Sequence, residues 1–144
     1  MTLPHLTICP PHLRWIQPEA LEALARKRNI EPALLRALRR QEAGKGGFDH
    51  TGRITMRFEP HKMPRSRWAE MRFAPRPGQK SWQASLKLSE AERDRMFEWA
   101  VNTDLEAAYA ATSWGALQTM GFNHRHCGFP SAVAMVESMV QGAP

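Results

Sequence analysis

A chain of 144 residues is long enough to bury one hydrophobic core without staples, so a single domain spanning 1–144 is expected. With 42% hydrophobic and 24% charged residues it is neither fibrous nor disordered, and no apolar run approaches the ~20 residues that cross a bilayer. Cys9 and Cys127 lie outside any CxxC pair and exclude a disulfide framework, while a net charge of +6 points to an anionic partner: nucleic acid, anionic lipid or bacterial cell wall.

In chain order, residues 1–16 are broken by proline and carry no period, which reads as an arm laid on the surface with Leu13, Trp15 and Ile16 as anchors. The opening MTLPHLTICPP lacks the basic-then-apolar layout of a secretory signal, so synthesis and folding in a cytoplasm are expected. Leu21, Leu24 and Ala25 predict a short helix from Pro18 to Arg28, with proline in its first turn and basic residues in its last. A second helix, Glu31 to Ala43, carries Leu34, Leu35 and Leu38 and stops where AGKGG supplies glycines suited to a helix end.

The period then changes. In ITMRFE, Ile54, Met56 and Phe58 alternate with Thr55, Arg57 and Glu59, a half-buried strand joined through the turn DHTG to a partner near Gly47 and Phe48, and ended by Pro60. Residues 62–88 are a basic, proline-rich loop with Trp68 and Trp82 and give no clear element. Ser89 and Glu92 form a capping box before Met96, Phe97, Ala100 and Val101, and Asp104 caps a helix with Leu105, Ala108 and Tyr109. SWGALQTMG predicts a short helix closed by Gly121. Ser131 opens a last one with Val133, Val136, Met139 and Val140 inward. The class is α+β, mainly α, with one small β-hairpin.

Glu42 stands out because it falls four residues after Leu38 and seven after Leu35, on the apolar stripe of its helix. Desolvation and the negative end of the helix dipole both favour its protonated form, which is what a general acid needs to give a proton to a leaving glycosidic oxygen. On placement alone, a partly buried glutamate closing a helix, with no catalytic role, is the stronger reading. Glu59 ends the strand on the same side as Arg57. It reads either as an ion pair with Arg57 worth ~0.5 kcal/mol or as the second carboxylate of a glycosidase, a role for which Asp49 in the turn competes.

The order QEAGKGGF, then FEPH, then ATSWGALQTMGFNHRHCGF followed by SAVAMVESM resembles the phage-type N-acetylmuramidase domain of endolysins and related cell-wall lysins, from about residue 20 onward. The third block is the most specific. The resemblance implies a lysozyme-like fold in which Glu42 is the catalytic acid and Glu59 lies in the cleft with His61. It also implies that Ser113, Trp114, Gln118, Met120 and Asn123 line the opposite wall against the sugars. The activity implied is cleavage of the bond between N-acetylmuramic acid and N-acetylglucosamine, Glu59 or failing it Asp49 steadying the positive ring or orienting water, with no metal or organic cofactor. Two departures stand against it: Pro60 replaces the usual arginine, and the relatives continue past the VESM helix into helices bearing a Tyr-Asn-Gly segment, whereas this sequence stops at Pro144, implying a shortened domain and a cleft closed on one side only. A lytic transglycosylase, or a non-catalytic cell-wall-binding remnant, is therefore the alternative.

His124, His126 and Cys127 provide no zinc-type spacing, and HExxH is absent, so no metal site is expected. Trp99 and Trp114 read as core residues, and Trp68 and Trp82 as loop anchors sooner than sugar-stacking faces. MPRSRWAEMRFAPRPGQK interleaves arginines with aromatics, but no nucleic-acid-binding motif accompanies it, and the same charge suits peptidoglycan rich in carboxylates. The expected partner is bacterial peptidoglycan, not nucleic acid, with no stable membrane insertion. A chain made in the host cytoplasm and acting in the periplasm or cell wall would need a pore-forming partner or a phage particle for delivery.

Overall fold

The computed structural model describes residues 3–11, 18–43 and 46–141, the side chains of Arg39, Glu42 and Ala43 excepted. Leu13, Trp15 and Ile16, expected as anchors of the arm, lie outside the described residues. The chain forms two units: Met1–Met56 with Trp114–Thr119 and Val136–Pro144, and Arg57–Ser113 with Met120–Met135.

In the first unit, helix α1 (Pro18–Lys27) begins on proline, places Glu19 in its first turn and Arg26 and Lys27 in its last, each on the favourable end of the dipole. Beyond it, Asn29 takes φ +53°, the left-handed conformation that asparagine tolerates, and Ile30 N–H bonds back to the Ala25 carbonyl at 2.9 Å. Helix α2 (Pro32–Ala43) then packs Leu35 against Leu21 and Ala25. Its apolar stripe is narrower than the sequence suggests: Leu34 and Leu38 are 55% and 44% exposed.

Downstream, Phe48 pairs with Ile54 in an antiparallel bridge around the expected turn. The Asp49 Oδ1 accepts from Thr51 N–H at 2.8 Å, Thr51 Oγ1 at 2.6 Å and Arg53 N–H at 3.0 Å, which fixes that turn. The N-terminal arm is tied to it, since Cys9, fully buried, donates its N–H to the Gly52 carbonyl at 2.9 Å.

Three short strands follow the order β1 (Met56–Phe58), β2 (Thr112–Trp114), β3 (Thr119–Met120). Glu59 N–H bonds Ala111 O at 2.9 Å and Gly115 N–H bonds Thr55 O at 2.8 Å, one antiparallel register that sets Arg57 opposite Ser113. The helix expected over SWGALQTMG is thus not formed. Gly115 (φ +69°) and Gln118 (φ +48°) turn the chain instead, and a partner strand more than fifty residues away in sequence overrides the helical spacing of Ala116, Leu117 and Met120. Gly121, expected to close that helix, opens a 3-10 turn to Asn123 and passes so near Tyr109 that any Cβ would overlap the Tyr109 carbonyl oxygen.

The rest of the second unit is helical. Pro60–Lys62 and Arg65–Arg67 form 3-10 turns, and within the stretch that gave no clear element Ser81–Leu86 folds as α3. Trp68 does anchor this region, donating Nε1–H to the Met63 carbonyl at 3.0 Å and meeting Phe73 edge-on at 5.1 Å. Helix α4 (Glu90–Thr103) starts with the Ser89–Glu92 capping box, and α5 (Leu105–Ala110) with Asp104 accepting from Ala107 N–H. Phe97 of α4 packs between Phe58 and Tyr109, at 5.4 and 6.3 Å between ring centres. Helix α6 (Ala132–Gln141), of which the residues from Val136 on belong to the first unit, buries Ala132, Met135, Val136 and Val140, whereas Val133 and Met139 are only partly covered. No helix among the described residues is long and apolar enough to cross a membrane.

Candidate active site

The period of two along β1 puts Arg57 and Glu59 on one face, and the Glu59 N–H bond to Ala111 O fixes where that face ends. Glu59 Oε1 lies 3.2 Å from Arg57 Nε, and Oε2 accepts from the Ser85 hydroxyl at 3.0 Å. Both oxygens therefore have a donor, and the side chain is only 16% exposed. Arg93 of α4 braces the arrangement from behind, donating Nη1–H to the Phe58 carbonyl at 2.7 Å and Nη2–H to the Ser85 carbonyl at 2.9 Å. Burial, then the nearby Arg57 charge, press its pKa below the usual guanidinium value, against the pull of Glu59 and Asp94.

Pro60 starts the next 3-10 turn and carries His61 back beside Glu59. His61 Nδ1 sits 3.5 Å from Glu59 Oε2, buried and without a hydrogen-bond partner among the described residues. Burial holds the imidazole below its ordinary pKa, with Lys62 and Arg93 adding to that and Glu59 opposing it. The ring is therefore neutral at pH 7, and the contact is not an ion pair there. With the proton on Nδ1, the tautomer that avoids lone-pair repulsion, the ring faces the carboxylate as a donor just out of reach.

Of the other expected residues in this unit, Ser113 is buried and donates its hydroxyl to the Arg57 carbonyl at 3.3 Å, so it supports the strand carrying Glu59. Met120 and Asn123 are half-buried at the two ends of the Gly121 turn. Between them Phe122, 48% exposed, lies under the Lys62 ammonium at 5.6 Å, which brings this turn beside the segment from Glu59 to Lys62.

The remaining expected residues belong to the first unit. Glu42 occupies the last turn of α2, its side chain outside the described residues. Asp49 is exposed, with one oxygen committed to its own turn; desolvation, the largest single influence, would raise its pKa, but the bonds from Thr51, Arg53 and Gly52 together hold it below the usual carboxylate value. Trp114, expected against the sugars, is fully buried with His5 6.1 Å away between ring centres, so the indole packs as core and its face is not open. Gln118 is held in the left-handed region, a cost of about 1 kcal/mol, and its side-chain Nε2 donates to the Gly115 carbonyl at 3.0 Å.

Ser85 and Arg93 were not foreseen. For Arg93 a signal was there to be read: it lies three residues before Met96 and four before Phe97, so a cation stands on the apolar face of α4. Among the described residues no group of three His, Cys, Asp or Glu side chains could hold a metal ion; His124 Nδ1 instead contacts the Phe129 carbonyl at 3.0 Å, and Cys127 is exposed.

Comparison with known sequences places residues 31–143 under a family described as N-acetylmuramidase. Comparison with curated proteins gave no match. Among solved structures, the endolysin of the Burkholderia phage AP3 superposes with a TM-score of 0.67 at 28% identity, over 93% of this chain and 51% of that one. The chain thus spans about half the length of the endolysin it matches. The likeness agrees with a lysozyme-like α+β fold, mainly helical with a small sheet.

Proposed function

The chain belongs to the N-acetylmuramidase family, as a phage-type muramidase domain, and from that premise we propose that it hydrolyses the bond between N-acetylmuramic acid and N-acetylglucosamine in bacterial peptidoglycan. The observation that carries this reading beyond family membership is the Glu59 carboxylate: nearly covered, addressed by Arg57 and Ser85, and faced by a neutral His61 at 3.5 Å. Such a group is suited to hold a negative charge where a positive ring develops, or to aim a water at it.

In this scheme Glu42 is the acid. Its place in the chain, in the last turn of α2, is where the family resemblance puts the group that delivers a proton to the departing oxygen. Asp49 is the less suitable second carboxylate, because its turn already occupies Oδ1 with three donors. Gln118, Met120 and Asn123 carry amide and thioether groups of the kind that suit sugars. No step needs a metal or an organic cofactor. The +6 charge favours approach to a wall rich in carboxylates.

The test is digestion of purified peptidoglycan by the wild type and by Glu42→Gln and Glu59→Gln, with the products weighed. Turbidity should fall with the wild type, and removal of the acid should slow it by about a hundredfold or more. Hydrated ends confirm hydrolysis. Anhydro ends would mean that the sugar's own 6-hydroxyl takes the place of water at the ring carbon, and equal inactivity of all three chains would reject the enzyme.

A further inference from the structure

Trp68 and Trp82 lie in one proline-rich stretch and part ways in the fold. Trp68 is tied down by its hydrogen bond to Met63 and its edge contact with Phe73, whereas Trp82 on α3 is 47% exposed. Beside it, Leu86, one turn along the same helix, is 54% exposed, and the two form the apolar floor of an open groove of about 540 Å³. Arg76 and Lys87 stand at its margins, Gln79 and Gln83 supply amides, and none of its lining residues is acidic. Arg76 N–H bonds the Gln79 side-chain oxygen at 3.1 Å, which fixes the turn forming one wall. The groove lies wholly within the second unit and shares no lining residue with the Glu59 cluster.

We infer that this groove is a second, non-catalytic binding site for a glycan strand carrying carboxylate groups, and it rests on the reading that the wall polymer is peptidoglycan. An exposed indole gives a sugar ring a flat apolar face, paired amides match acetamido and hydroxyl groups, and two cations in a lining with no acidic residue select the carboxylated polymer over a neutral one. A surface that grips the polymer away from the bond being cut raises the local concentration of the cleaving group through a second point of attachment.

The experiment uses the full chain carrying Glu42→Gln, so that the polymer persists, and measures its retention on purified sacculi by co-sedimentation, with native sacculi and with sacculi whose carboxylates have been amidated. Adding Trp82→Ala, or Arg76→Gln with Lys87→Gln, should weaken retention about fivefold, and Trp82→Phe, which keeps an aromatic plate, should weaken it far less. Amidation should weaken the parent chain and leave the Arg76→Gln/Lys87→Gln chain unchanged. Equal retention of the parent and the Trp82→Ala chain, or no retention of the parent at all, overturns the site. Because binding is read without turnover, a groove that fails here leaves the hydrolase reading standing, and a wild-type chain that is retained through Trp82 yet releases no fragments sinks the hydrolase alone.

Discussion

The Ser85 hydroxyl, fully buried, donates to Glu59 Oε2 while Arg57 addresses the other oxygen from a side chain that is 44% exposed. The two contacts should therefore differ in weight: an exposed ion pair is screened by water, whereas a carboxylate oxygen that loses a buried hydroxyl has little water to replace it. Ser85→Ala is expected to cost about 1–2 kcal/mol, read as a lower urea midpoint at unchanged slope, and Arg57→Ala to cost ~0.5 kcal/mol or less. Equal midpoints for Ser85→Ala and wild type would mean that water satisfies Glu59 without help. The Arg57–Glu59 pair was legible in the sequence because a strand's period of two decides it. The Ser85–Glu59 and Arg93–Phe58 contacts span 26 and 35 residues, and no local pattern encodes such a separation. Trp114 divides the two kinds of reading: its residue type pointed to the core, where it is fully buried, whereas the family motif pointed to a sugar contact.

Elements whose ends are decided locally could be read in advance, as with the Ser89–Glu92 box, the Asp104 cap and the Pro18 start; β2 could not, because its strand state depends on the distant β1. Helix α6 combines both cases. Ser131 accepts from Ala134 N–H at 3.0 Å, as its sequence suggests, but the earlier N–H groups of Ala132 and Val133 bond to the Glu106 carboxylate at 2.5 and 3.3 Å, reaching from α5. That one side chain satisfies two otherwise orphaned donors and sets a negative charge at the positive end of the helix. Glu106→Ala should lower stability by about 1–2 kcal/mol, and Glu106→Gln, which keeps one acceptor oxygen, by roughly half as much, both measured as melting temperature. If the two variants melt together, the charge on the helix end contributes nothing.

For the molecule as a whole, the same burial that orders the neighbourhoods of His5 and His61 makes it acid-sensitive. His5 is partly buried beside Trp114, and its pKa is brought down from 6.5 to about 4, chiefly by burial and further by the Arg53 charge; His61 is shifted the same way. A base that the fold keeps neutral adds stability wherever the unfolded chain is also neutral, above pH 6.5, and loses it as the pH falls toward 4, because the unfolded chain takes up the proton first. Asp49 and Glu92, held below their usual values, act in the same direction at lower pH, through hydrogen bonds that protonation would break. Below pH 6.5 His61 contributes alongside His5, so the part due to His5 is isolated between pH 6.5 and 4 by comparing the wild type with a His5 variant. For a fully desolvated imidazole the loss would track the whole shift, but water reaches His5 and screens it, so roughly 1 kcal/mol is expected. The wild-type melting temperature should fall across this window, and His5→Gln, which cannot titrate there, should fall less by that amount. Parallel curves for the two chains would show that His5 already carries its proton in the folded state, and that the pocket formed with Trp114 is open enough to hydrate it.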